Sequence, residues 1–204
     1  MIDPRFVYLA AALALYGVYD YVRATLRGDT LPNRVSWGLW GLEGVLAFVV
    51  EVQQHVGLAA VMTLMFGVVP IIVVVASFRG HHGVWRIDAF DIACGIISVL
   101  GVVFWGVVNQ ATVALVAFIT ADQVAALPTL RKSWLAPETE SPKIFVTGVI
   151  NCAVTLFTLK HFTTGGVIFP GCILVCDAII SVLVVGRLGP RWRAAHAARP
   201  VPVA

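Results

Sequence analysis

The chain has 204 residues, of which 59% are hydrophobic and only 12% charged, and its mean hydropathy is +0.91. A water-soluble domain carries about 25% charged residues, so this composition excludes intrinsic disorder, a secreted disulfide scaffold and a nucleic-acid-binding module. The net charge of +3 is too small to call for a polyanion, and the expected partner is a lipid bilayer rather than nucleic acid.

A membrane-crossing helix needs about 20 mostly apolar residues. Seven apolar runs approach that length: Phe6–Val22, Val35–Val50, Leu58–Phe78, Phe90–Val108, Ala111–Leu127, Ile144–Leu159 and Val167–Val185. The first follows Met-Ile-Asp-Pro-Arg, which lacks the positive flank of a signal peptide, so it reads as a retained helix. Only Asn109-Gln110 separates the fourth from the fifth. Fused, they would make a helix of about 37 residues, far too long for a bilayer.

With the N-terminus outside, every one of the 14 lysines and arginines except Arg5 and Lys160 falls on the inner side. The expected fold is therefore an all-α membrane protein with seven transmembrane helices, N-out and C-in, in the cytoplasmic (inner) membrane of a bacterium. Residues 188–204 are basic and rich in Ala and Pro, and are expected to be disordered or to lie on the anionic inner leaflet.

An internal repeat divides the chain. Thr25-Leu26-Arg27 recurs as Thr129-Leu130-Arg131, and Leu31, Pro32 and Ser36 are followed in kind by Leu135, Pro137 and Ser141. Both copies sit at the inner end of a helix, the first and the fifth. The pattern predicts a 3+1+3 parallel repeat: a first triple-helix unit over 1–80, a linker helix over 81–110 and a second unit over 111–187. Parallel repeats about an axis along the membrane normal are a transporter architecture, with substrate held near mid-membrane between the units.

This plan resembles the SWEET and PQ-loop transporter superfamily, whose proline-glutamine signature stands at the inner end of the first and fifth helices. Ala126-Leu127-Pro128-Thr129-Leu130-Arg131-Lys132, followed by Glu138, Glu140 and Ser141, is similar to that signature and its loop. Threonine stands where the family has glutamine, and Ala24-Thr25 in the first copy has no proline. Nicotinamide riboside transporters share a similar 3+1+3 plan, in which the tryptophan-rich Ser36-Trp37-Gly38-Leu39-Trp40 would not be out of place. The resemblance implies transport by alternating access, with Pro128 at the inner gate.

Ionisable groups in the bilayer interior cost several kcal/mol and mark functional candidates. Three of the 11 acids qualify: Glu43, Asp122 and Asp177. Glu43 shares a helix face with Ser36, Trp40 and Ala47, so Trp40 offers an aromatic surface beside a carboxyl, which suits a cationic or hydroxylated ligand. The structural alternative is a carboxyl hydrogen-bonded to a neighbouring helix. Asn151 lies on a stripe with Thr147, Thr155 and Thr158, read either as path lining or as interhelical hydrogen bonding. Asp177, with Pro170 two turns before it and Ser181 one turn after, is the leading candidate for a coupling or substrate carboxylate.

Asp122 reads as a gate residue or as a partner of Arg131 or Lys132. Pro70 is a candidate hinge in the third helix, and Pro170 another in the seventh. The stripe Asp88, Asp91, Ser98, Trp105 and Asn109 reads as linker packing. His81-His82, beside Asp88 and Asp91, reads as a solvated loop rather than a metal site at the inner surface, and the spans hold no convergent His/Asp set and no lysine in the last helix, so neither an enzyme nor a retinal protein is expected. Cys94, Cys152, Cys172 and Cys176 form no CxxC pair and read as packing residues, with no metal or cofactor.

The expected function is small-solute transport along a path lined by Trp40, Glu43, Asn151 and Asp177, proton-coupled or for a cationic or hydroxylated substrate. Its rival is an accessory or scaffold subunit of a larger membrane complex. A second copy or such a complex is the protein partner these readings allow.

Overall fold

The computed structural model describes residues 6–53, 59–79, 85–108, 110–158 and 164–197. These fold into eight α-helices, with no strand among the described residues: α1 Phe6–Arg27, α2 Arg34–Gln53, α3 Ala59–Arg79, α4 Ala89–Val107, α5 Ala111–Leu135, α6 Pro142–Thr158, α7 Thr164–Gly186 and α8 Leu188–Ala197. A short 3-10 helix, Pro137–Thr139, links α5 to α6. Ala89–Val107, Val113–Leu135 and Val167–Gly186 are long and apolar enough to cross a membrane, while Thr63–Arg79 and Pro142–Thr158 are apolar but shorter.

Local chemistry sets the helix ends. Gly28, at φ 82°, closes α1, and the N–H groups of Asp29 and Thr30 both donate to the Ala24 carbonyl. A β-carbon would be strained in that left-handed conformation. Asn33 caps α2 by accepting from the backbone N–H of Val35 and Ser36. Asp88 and Asp91 form a reciprocal capping box at the start of α4. Val108 and Gln110 are extended, which breaks the chain between α4 and α5 where Asn109-Gln110 interrupts the apolar run.

Six helices pack in a closed ring. Helix α3 lies against both α1 and α2, and α7 against both α5 and α6; α2 meets α5, and α1 meets α6. Helix α4 stands outside the ring on α5 and, less extensively, on α2. Its outward face exposes Ile92, Ile96, Leu100, Val103 and Phe104. Contiguous apolar surface on this scale suits a lipid environment.

Glycines permit the closest approach. A β-carbon on Gly44 would overlap the backbone of Gly67, so α2 and α3 touch main chain to main chain there. The core draws on every ring helix: Tyr21 from α1, Trp37 from α2, Val73 from α3, Ala126 from α5, Phe145 from α6, and Cys176, Ile180 and Val184 from α7.

Two expectations change. The fifth helix runs past Leu127 to Leu135, because Pro128 is accommodated inside it and Lys132 turns inward. The tail, expected to be disordered or to lie on the inner leaflet, is helical over Leu188–Ala197, docked by Trp134 against Trp192 at 6.2 Å and by Arg193 donating to the Leu135 carbonyl. Residues 198–204, His81, His82, Asn109 and Lys160 lie outside the described residues.

Candidate functional site

A cavity of about 140 Å³ lies at the centre of the ring. Helix α2 contributes Trp40 and Glu43, α3 Pro70, α5 Asp122, α6 Asn151 and α7 Asp177. All four path residues expected from the sequence therefore line one space, together with Asp122 and Pro70. Pro128, fully buried in α5, and Pro170, half-buried in α7, do not line it.

The acids sit differently. Glu43 is 2% exposed. Its Oε1 accepts from the Ser98 hydroxyl of α4 at 2.9 Å, and its Oε2 has no hydrogen-bond partner. Glu43 thus bonds to a neighbouring helix and also lines the cavity. Asp122 accepts from the Gln123 amide at 2.9 Å. It pairs with neither Arg131 nor Lys132, which are taken by Asp88 and Glu140. The Asp177 carboxyl occupies the room left by Gly148, where a β-carbon would overlap it. Asn151 is 5% exposed with Oδ1 unpartnered. In an apolar interior such orphaned polar atoms are costly unless a ligand or water meets them.

Aromatic rings complete the wall. Trp37 and Trp40 meet edge to face at 5.3 Å, and Phe118 packs on Phe169 at 5.4 Å. Pro70 has no N–H, so the Phe66 carbonyl lacks its usual helical donor beside the cavity.

Sequence reasoning did not identify Trp37, Phe118, Phe145 or Phe169 as wall residues. Trp37 had a usable signal, since it precedes Trp40 by three residues and shares its face. The phenylalanines had none, because an apolar side chain in an apolar helix carries no contrast.

The cavity is floored at the end of the bundle where α1, α3, α5 and α7 finish and α2 and α6 begin. Tyr21, Trp37 and Phe145 cluster there, with ring centroids 4.9, 6.1 and 6.5 Å apart. Beneath them the Tyr21 hydroxyl donates to Glu140 Oε2 at 2.8 Å, and Lys132 Nζ donates to Glu140 Oε1 at 2.8 Å. Lys132 also donates to the carbonyls of Leu31 and Thr139, and the Leu31 N–H donates to the Thr139 carbonyl.

Comparison with family models, curated proteins and solved structures returns no match, so the reading of this site rests on the chain's own residues.

Proposed function

We propose that the chain is a small-solute transporter of the SWEET/PQ-loop type, with seven spans in a 3+1+3 arrangement and its basic end in the cytoplasm. The observation that carries this reading is the central cavity, in which Trp40, Glu43, Asn151 and Asp177 converge from three helices of the ring. A cavity of about 140 Å³ has room for several waters or a small organic molecule.

Two further features support it. Exchanging α1, α2 and α3 with α5, α6 and α7 leaves the same set of ring contacts, as two parallel repeats related by a two-fold axis require. The aromatic floor and the Lys132–Glu140–Tyr21 network close the cavity toward the basic end, as one state of an alternating-access cycle requires. A scaffold subunit would bury Glu43 and Asp177 in dry helix contacts, whereas both line open space.

Reconstitution into liposomes tests the reading. A panel of small neutral, cationic and anionic solutes is expected to include at least one whose flux is saturable and is lost in Asp177→Asn. Absence of any flux dependent on Asp177 would overturn the mechanism. Cysteine-accessibility labelling from each side of sealed vesicles tests the orientation, with Cys substituted at Arg131 expected to react only from the cytoplasmic side.

A further inference from the structure

Three carboxyls face the cavity, Glu43 from α2, Asp122 from α5 and Asp177 from α7, and among the described residues no Lys, Arg or His lines it. The two nearest basic side chains on α5 are already neutralised, Lys132 by Glu140 and Arg131 by Asp88. Acids thus line this space, and among the described residues no basic side chain lines it to balance them. Buried carboxyls in a low-dielectric setting need a proton or a cation.

The chemistry of the wall narrows the cation. Among the described residues no group of three or more acids or other ligating side chains is clustered tightly enough to hold a metal ion. The three carboxyls belong to three different helices around a space with room for a small organic molecule. Trp37, Trp40, Phe118 and Phe169 also line the space, and aromatic rings attract a diffuse positive charge through their quadrupoles. Two of the buried atoms without partners, Glu43 Oε2 and Asn151 Oδ1, are acceptors, and Trp37 Nε1 is the one wall donor among them. A neutral polyol needs donors and acceptors in near-equal number, and an anion would meet three carboxyls.

We infer that the cavity's ligand is a small organic cation, an ammonium or quaternary ammonium group held by Glu43 and Asp177 against the tryptophan faces, with Asn151 accepting from any N–H or O–H it carries. Binding stands on the cavity alone, and passage of the cation across the membrane rests on the transport reading above.

The test uses the full-length protein in nanodiscs, with choline and ethylamine as cationic probes and glucose and glutamate as neutral and anionic controls. Tryptophan fluorescence and calorimetry are expected to show saturable binding of a cationic probe only. Glu43→Gln and Asp177→Asn, both isosteric, are expected to weaken it by about tenfold or more, while the exposed Glu138→Gln leaves it unchanged. Melting curves establish that each variant is folded. Binding of glucose or glutamate in preference, no binding of either cation, or unchanged cation affinity in both cavity variants overturns the inference. Counterflow of labelled probes in liposomes separates the two claims. Glucose flux without cation flux overturns the ligand class and keeps transport, whereas cation binding without any flux keeps the ligand class and removes transport.

Discussion

Lys132 and Glu140 form an ion pair, Nζ to Oε1 2.8 Å, in which neither side chain has any exposed surface. The pair joins the end of α5 to the segment before α6, and the hydroxyl of Tyr21 ties it to α1. Breaking a buried pair leaves one charge uncompensated. Lys132→Met is therefore expected to destabilise the protein by about 3–5 kcal/mol, and Lys132→Met combined with Glu140→Gln by clearly less. Reversible denaturation in mild detergent checks both. Equal losses in the single and double variants would show that the pair is not the source.

Tyr21→Phe keeps the aromatic floor and removes only the donor to Glu140 Oε2. A hydrogen bond to a charged group contributes about 1.5–3 kcal/mol, so a loss in that range is expected from the same measurement. A loss near zero would mean that water replaces the hydroxyl.

Ser98→Ala removes the donor to Glu43 and leaves both carboxyl oxygens without a protein partner, since Oε2 already has none. The expected cost is about 1–3 kcal/mol. Stability equal to the parent would indicate that Glu43 draws its hydrogen bonds from the cavity instead.

Gly44 and Gly38 lie on one helix in opposite circumstances. A β-carbon at Gly44 meets the Gly67 backbone, which has no rotamer to yield, whereas nothing lies within 4 Å of one at Gly38. Gly44→Ala should cost about 1–3 kcal/mol through overpacking, and Gly38→Ala should be neutral or stabilising by up to about 1 kcal/mol through helix propensity. Thermal melts of the two variants side by side decide it.

Asp88 caps α4 and accepts from Arg131 Nη1 at 2.5 Å, and this hydrogen bond holds its carboxyl below the usual carboxylate range. The folded state therefore favours the ionised form. Its stabilising contribution is fully present above the unfolded value of about 3.9 and is lost as pH falls through the lower folded value. Asp88→Asn should melt below the parent at neutral pH, and the gap should narrow as pH falls below the unfolded value of about 3.9.

Helix positions were legible because each apolar run had to satisfy its own backbone, and polar or charged residues bounded most of the runs. Glu43, Asn151 and Asp177 were legible for the complementary reason, that a polar group is conspicuous in an apolar run. What stayed hidden depends on partners far apart in the chain. Lys132 read as an inner-face charge or a partner of Asp122, since nothing local marks Glu140 and Tyr21 as closing around it. The helix Leu188–Ala197 was missed because its anchors, Trp134 and the Leu135 carbonyl, belong to α5.

The Ser98–Glu43 bond has a mechanical consequence. Helix α4 leans mainly on α5, yet this hydroxyl reaches back to α2 in the other half of the ring. The bond therefore straps α4 across the seam between α5 and α2, so that one residue outside the ring helps hold two of its members together and already occupies one oxygen of Glu43.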